Sequence, residues 1–246
     1  MVAAPMEGPV RSPREPKYYG VKRHLLDIIA ALAPGSPVPT ERLLMTQLGT
    51  SRSTVRQALA ELVGEGRLVR RQGSGTYVAE PKVSWPLRMT SFTEQANATG
   101  RTASTELLDA RRTGADDETA TRLGLRSGAA VHRIERLRLV DDTPMAIEIS
   151  HLPASRFPGL IRHLRTNQSL YHVLRDVYDV VPVSAEETIE TATASPREAD
   201  LLGTETGAPI LMLSRHSFAA DGVPVEWVQS WYRGDRYRFV TRLTTD

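Results

Sequence analysis

The run from Thr40 to Val78 reads TERLLMTQLGTSRSTVRQALAELVGEGRLVRRQGSGTYV, and its caps and glycines fall at intervals that few folds accommodate. Thr40 is a good N-cap, Leu43, Leu44 and Leu48 supply an apolar stripe, and Gly49 offers the left-handed conformation that stops a short helix. Ser51 then caps a second helix in which Val55, Ala58, Leu59, Leu62 and Val63 lie within about 140° of arc at the helical repeat. Gly66 ends it. The opposite side of this helix carries Ser53, Arg56 and Gln57, with Arg52 and Thr54 in its first turn. Such a face is built for contact rather than for a core.

Two helices joined by a tight Gly49-Thr50 turn make a helix-turn-helix, whose second helix enters the major groove and reads bases with its N-terminal residues. Arginine suits this work, because its planar fork bonds two acceptors on a guanine edge or grips a phosphate. Leu68 to Arg71, the turn Gln72-Gly73-Ser74-Gly75, and Thr76 to Val78 read as a β-hairpin with a glycine-rich tip. Attached to a helix-turn-helix this is a wing, and its glycines let backbone N–H groups approach phosphate or the minor groove. A helix pair alone is equally a small helical domain with solvated arginines. The wing, and a further helix in front of the pair, favour DNA. In that leading helix, from Tyr18 to Ala33, Val21, Leu25, Ile28 and Leu32 recur at helical spacing before Pro34-Gly35.

A chain of 246 residues accommodates one or two domains, and the pattern here reads as two. No apolar run approaches the length needed to span a bilayer, and no signal peptide is visible, so a cytoplasmic protein is expected. The absence of cysteine excludes disulfides, thiolate metal sites and cysteine catalysis. Net charge is only +2, yet residues 1 to 80 hold 11 Lys/Arg against 7 Asp/Glu, so the small basic excess falls on the segment that reads as DNA-binding. Residues 1–16 carry four prolines and are expected to be a disordered lead; 17–80 form the winged unit; 81–89, introduced by Pro81 and containing Pro86, read as a linker. From 90 to 246 strands alternate with short helices, and the pattern occurs twice. Leu123-Gly124, Gly128-Ala129, Val131 and Arg136 recur as Leu202-Gly203, Gly207-Ala208, Ile210 and Arg215, always 79 residues later. Asp116 caps the helix of the first copy, and Ser195, Pro196 and Glu198 cap that of the second. A hairpin follows each, turning at Asp141-Asp142-Thr143-Pro144 and at Ala220-Asp221-Gly222. Between the copies Leu170, Val173, Leu174 and Val177 mark one more helix, and Tyr237 to Leu243 supply a last strand. The implied fold class is α+β, a winged helix-turn-helix followed by a mainly antiparallel sheet with helices on one side.

Glu41-Arg42, SRSTVRQAL from Ser51 to Leu59, Glu65-Gly66 and RRQGSGTYV from Arg70 to Val78 resemble the winged helix of GntR-type transcription regulators. TSFTEQ at 90–95, RIERLRL at 133–139, MAIE at 145–148, SLY at 169–171 and YRGDRYRF at 232–239 resemble the effector domain of the HutC branch of that family, a chorismate-lyase-like (UTRA) fold. Within the branch the chain looks most similar to the DasR and NagR type of amino-sugar regulator. The resemblance implies a homodimeric repressor on an operator in double-stranded DNA, released by a phosphorylated amino sugar such as glucosamine 6-phosphate or N-acetylglucosamine 6-phosphate. DNA contacts are then expected from Arg42, Ser51, Arg52, Ser53, Thr54, Arg56 and Gln57, and from Gln72, Gly73 and Ser74 at the wing tip.

On an extended strand Arg136 and Arg138 share one face, where they are either a phosphate clamp or a solvated pair. The resemblance favours the clamp, since these positions match the arginines that hold the sugar phosphate in the family. Ser91, Phe92 and Thr93 add backbone and hydroxyl donors, and Ser169 and Tyr171 belong to the SLY turn at a helix start, where free N–H groups favour anions. Glu148 and Glu226 on the two hairpins suit sugar hydroxyls or an amine, and Tyr232 offers a flat face with a polar tip. Arg215 lacks a second arginine at 217, so one anion site is expected, not two. The six histidines show no metal-ligand spacing; no metal, no cofactor, no catalytic residue and no membrane partner are expected. An enzyme acting on a phosphorylated sugar or aromatic acid is the competing class, disfavoured by the lack of a nucleophile motif or a glycine-rich phosphate loop. An architectural protein indifferent to DNA sequence would need a stronger basic excess.

Overall fold

The computed structural model describes residues 16–71, 73–164 and 168–243, so the expected lead up to residue 15 and Gln72 lie outside the described residues. The chain divides into two compact units with the boundary between Glu80 and Pro81.

The first unit begins with α1, Lys17–Ala31, followed by α2, Glu41–Leu48, and α3, Arg52–Gly64. Thr40 caps α2 by accepting the Leu43 N–H at 3.3 Å, and Gly49 closes it with φ of +57°. Ser51 caps α3 by accepting the Thr54 N–H at 3.3 Å. The antiparallel wing pairs β1, Leu68–Arg71, with β2, Gly75–Val78. Residues 36–38 add a third edge through Val78 N–H to the Ser36 carbonyl at 2.8 Å and Val38 N–H to the Thr76 carbonyl at 3.0 Å. Val21 and Leu25 of α1, Leu44 of α2, Val55, Ala58, Leu59 and Leu62 of α3, and Leu68 and Val78 of the wing form one core. Leu43, expected in the α2 stripe, is instead exposed, because Leu44, Met45 and Leu48 form the face of α2 that packs on the core. Lys22 ties α1 to α3 through Glu61, at 3.0 Å, and Glu65.

The second unit opens with β3, Val83–Pro86, where a linker was expected. This strand runs parallel to β10, Tyr237–Val240, in register Trp85 to Phe239, and buries Trp85 completely against Phe92 and Tyr237 at ring distances of 4.6 and 5.0 Å. The flanking prolines read as a linker because proline is confined to strand edges and ends, which is where they stand. Between these strands lie α4, Phe92–Ala98; β4, Ala103–Gly114; α5, Asp117–Leu123; β5, Ala130–Val140; β6, Thr143–Pro153; a single 3-10 turn, Leu160–His163; α6, Leu170–Tyr178; β7, Ser184–Thr193; α7, Pro196–Leu202; β8, Pro209–Phe218; and β9, Pro224–Arg233.

The 79-residue repeat is the plan of the sheet. Strands β4, β5 and β6 with α5 form one copy, and β7, β8 and β9 with α7 form the other. Their caps, Asp116 and Ser195, stand 79 positions apart, as do the left-handed pairs Gly124 and Gly203, and Gly128 and Gly207. The six-stranded order β4-β5-β6-β9-β8-β7 is antiparallel throughout and joins the copies at β6 and β9, in register from Ala146 with Tyr232 to His151 with Trp227. The first hairpin turns on Asp141 and Asp142, both with positive φ, the backbone that matches the twist of the strands it joins.

Helices cover both faces of this sheet rather than one. Ala120 and Leu123 of α5 pack on Val131 and Trp227, and Ala199 and Leu202 of α7 on Leu137 and Ile147. On the reverse face α4 packs on Ala146, Leu213 and Tyr232, and α6 on Ile134, Leu152 and Val225. Arg136 and Arg138 of β5 and Glu226 and Ser230 of β9 alternate as though one face were wet, but they are buried on the face that α4 and α6 cover. Replacing Trp85 by Ala is expected to destabilise the second unit by about 3–5 kcal/mol, the usual cost of emptying an aromatic core site; an unchanged denaturant midpoint for that unit would return residues 81–89 to the role of linker.

Candidate functional site

In the first unit, α3 buries one face and presents the other. Ser51, Arg52, Ser53, Arg56 and Gln57 are exposed, as are Arg42 on α2 and Gly73 and Ser74 at the wing tip; Thr54 is half-buried. The hydroxyls of Ser53 and Thr54 lie 2.9 and 2.8 Å from Ser51 Oγ, so the start of α3 is a hydrogen-bonded hydroxyl cluster. Arg52 Nε donates to Glu41 Oε2 at 3.1 Å. Two exposed arginines absent from the expected set, Arg70 and Arg71, stand on the wing strand, the latter over the Tyr77 ring at 4.5 Å. Their signal was the Arg-Arg pair directly before the glycine-rich tip.

In the second unit a cavity opens between the sheet and the covering elements α4, α6 and β10. Nine of the ten expected effector residues line it: Ser91 and Phe92 at the start of α4, Arg136 and Arg138 on β5, Glu148 on β6, Ser169 and Tyr171 at the start of α6, and Glu226 and Tyr232 on β9. Thr93 does not. Ser91 and Glu94 form a reciprocal capping box that starts α4 at Phe92 and makes Thr93 an inner residue of its first turn, with Ser91 Oγ accepting the Glu94 N–H at 3.2 Å and Glu94 accepting the Ser91 N–H at 2.9 Å. The Ser-x-x-Glu spacing inside TSFTEQ was the available sign.

Arg136 Nη2 donates to Glu148 Oε2 at 3.1 Å and to Ser150 Oγ at 3.3 Å. Arg138 Nε lies 3.5 Å from the same carboxylate oxygen, close enough to feel its charge but without hydrogen-bond alignment, and the Nε atoms of both arginines are buried without a hydrogen-bond partner. Phe92 underlies the Arg138 guanidinium at 4.4 Å. Burial, reinforced by the like charge of Arg136 and opposed by Glu148, lowers Arg138 to about 10, a measure of how strongly this guanidinium lacks solvent. Across the sheet Glu226 is wholly enclosed, and burial pushes its carboxyl above the usual range despite Arg136, Ser150 and Tyr171 nearby. Tyr171 hydroxyl meets Ser217 Oγ at 3.2 Å, and burial raises both Tyr171 and Tyr232, which keeps their hydroxyls neutral.

Arg215, set aside on the sequence because position 217 is serine, lines this same cavity. The β6 and β9 pairing folds the second copy against the first, so the repeated arginine does not make a second site but enters the first. Glu187 grips it through two bonds, Nε to Oε1 at 2.9 Å and Nη2 to Oε2 at 3.1 Å. Three arginines, Arg136, Arg138 and Arg215, and three carboxyl groups, those of Glu148, Glu187 and Glu226, thus line one cavity, and burial favours the neutral form of Glu226. No group of His, Cys, Asp or Glu side chains among the described residues could hold a metal ion, and no described helix is long and apolar enough to cross a membrane.

A winged helix-turn-helix with an exposed arginine face, followed by a unit with an arginine-lined cavity, defines a DNA-binding regulator that carries its own sensing domain. The chain belongs to the GntR family of bacterial regulatory proteins: residues 17–78 match that family and residues 98–238 match the UTRA domain. It is 40% identical over 92% of its length to the transcriptional repressor NagR of Bacillus subtilis, covering 93% of that protein. It is 39% identical to the repressor PhnF of Mycolicibacterium smegmatis, over 93% of each chain. The crystal structure of PhnF from Mycobacterium smegmatis superposes with a TM-score of 0.67 at 38% identity, covering 92% of this chain and all of that one. A probable fructoselysine utilization operon repressor of Escherichia coli is 31% identical over 89% of this chain and 91% of its own. These families and relatives are regulators of transcription, and the competing enzyme class falls with them.

Glu226 sets a pH dependence whose sign follows from its raised value. Above the ordinary carboxylate range the folded protein holds a proton there that the unfolded chain has lost, so stability declines as pH rises. Glu226→Gln removes that decline. Denaturant titrations between about pH 5 and pH 8 should show the variant gaining on the wild type as pH increases; a gap independent of pH would mean that this carboxyl titrates as in water.

Proposed function

We propose that the chain is a homodimeric, cytoplasmic repressor that reads an operator with residues 17–80 and releases it when residues 81–246 bind a phosphorylated amino sugar, such as glucosamine 6-phosphate or N-acetylglucosamine 6-phosphate. The observation that carries the effector assignment is the pair Arg136 and Arg138, buried on one strand face with Glu148 as their shared carboxylate partner. A phosphate dianion supplies the acceptors that such a pair lacks, and bidentate arginine contacts to phosphate are among the stronger charge-assisted bonds. Glu148, Glu226 and Tyr232 then meet the sugar, with carboxylates as acceptors for hydroxyls or an ammonium group. The expected reading residues are Arg52, Arg56 and Gln57 on α3, with Arg42 and the wing tip on phosphate. Dimerisation is supported by the economy of two recognition helices on a pseudo-palindromic site.

A second reading keeps the family and changes the metabolite. The relatives include a probable repressor of a fructoselysine utilization operon, so this architecture is used on more than one kind of operon, and another small anion is the alternative. A thermal-shift panel of phosphorylated and free sugars separates the two: an effector at 100 times its dissociation constant stabilises the fold by about 2.7 kcal/mol.

An effector releases DNA only by favouring the arrangement that cannot bind it, and typical couplings of about 1–3 kcal/mol weaken operator affinity roughly 5- to 150-fold. Arg136→Ala with Arg138→Ala, combined with Glu148→Gln so that Glu148 is not left as a buried carboxylate without its arginines, should bind operator as the wild type does and ignore the sugar phosphate. Fluorescence anisotropy on a labelled operator reads both quantities. Release of the variant at the wild-type effector concentration, or equal release of wild type by the unphosphorylated sugar, would overturn the assignment.

A further inference from the structure

The hydrogen bond between Arg52 and Glu41 joins the first residue of α3 to the first residue of α2, and both side chains are open to solvent, at 71% and 32% exposure. An ion pair this exposed adds little to stability, and the core of the unit is complete without it. Its effect is on which edge of the guanidinium remains. Arginine carries its donors at Nε and at two terminal nitrogens. Glu41 occupies Nε, so the terminal nitrogens are left as the donors for a base edge or phosphate. The bond also restrains a long side chain at a helix start, where no neighbouring turn packs against it.

A carboxylate on the face of a DNA-binding unit carries a cost of its own, since it repels phosphates. At Glu41 that charge is matched by Arg52. We propose that Glu41 is a positioning residue for operator recognition: it holds Arg52 by Nε so that the terminal nitrogens of the guanidinium are presented to a base pair in the major groove. The proposal rests on the reading of α3 as the recognition helix. It also makes Glu41 a source of discrimination in a second way, because a carboxylate that weakens contact with phosphate generally penalises DNA on which Arg52 finds no base partner.

An alternative role for Glu41 is local. An acidic residue in the first turn of α2 interacts favourably with the helix dipole, and its loss would then weaken the unit without regard to Arg52. A double-mutant cycle separates the roles. The wild-type protein selects its operator from a randomised duplex library, and affinities for the selected duplex and for a scrambled one are measured for the full chain carrying Glu41→Ala, Glu41→Gln, Arg52→Ala, or Arg52→Ala with Glu41→Ala.

Glu41→Ala is expected to bind the scrambled duplex about 2- to 3-fold more tightly as a repelling charge is removed, while its preference for the selected duplex falls about 5- to 10-fold through loss of a guided base contact. Glu41→Gln keeps an acceptor oxygen and should recover most of the preference while still binding the scrambled duplex more tightly than wild type. In the Arg52→Ala background, removal of Glu41 should cost no further preference. Undiminished preference in Glu41→Ala, or an equal loss in both backgrounds, overturns the positioning role. Full preference in Arg52→Ala alone would instead overturn the assignment of the reading face, and the proposal with it.

Discussion

The antiparallel pairing of β6 with β9 is the contact on which the second unit depends. Each copy of the repeat is a three-stranded sheet with one covering helix and an unpaired edge, and neither encloses a cavity alone. Joined at β6 and β9, they make one six-stranded sheet whose central strands are covered on both faces. The site is therefore composite. Arg136, Arg138 and Glu148 come from the first copy, while Glu187, Arg215, Glu226 and Tyr232 come from the second. The inter-copy register sets Ala146 beside Tyr232 and Glu148 beside Ser230, which fixes how the two sets of polar side chains face each other.

Charges gathered so densely under a cover are costly unless matched, and the matching here is uneven. Arg215 and Glu187 satisfy each other through two parallel bonds, a self-contained pair that needs nothing from a ligand. Arg136 and Arg138 instead share one carboxylate, with both Nε atoms buried and unbonded. Donors that are buried and unpaired carry a desolvation penalty, and an anion entering the cavity removes it. The physical difference between the two arginine groups is thus the number of acceptors within reach, not the number of charges.

The first unit works on the opposite principle. Its core is small, built from α1, α2, α3 and the wing around Leu25, Leu44 and Leu59, and of the described residues expected to meet DNA all but Thr54 are exposed. The basic excess of residues 1 to 80 is slight, so affinity from counterion release alone is modest. Placement of side chains then matters more than their number: the hydroxyls of Ser51, Ser53 and Thr54 bond to one another at the start of α3, and Glu41 tethers Arg52 beside them.

Much of this was legible because the signals are local. The caps Thr40, Ser51, Asp116 and Ser195, and the glycines that stop α2, α5 and α7, act within one helical turn, so residue type and spacing state them directly. The repeat was legible for a related reason: the same local choices recur at the same offset. Three features were not. Val83–Pro86 is a strand only because β10 lies beside it, about 150 residues away in the chain, and its prolines gave the opposite impression. The polar face of the sheet is covered because α4 and α6 fold over it. Arg215 joins the cavity lined by Arg136 and Arg138 because strand order, not strand sequence, decides which side chains converge. The amino-acid sequence by itself determined the elements, their ends and the two-copy plan, since these follow from backbone and side-chain preferences within a few residues. Tertiary structure alone decided which strands became neighbours and hence which charges share a cavity, because pairing between distant edges is settled by the burial that the whole sheet achieves.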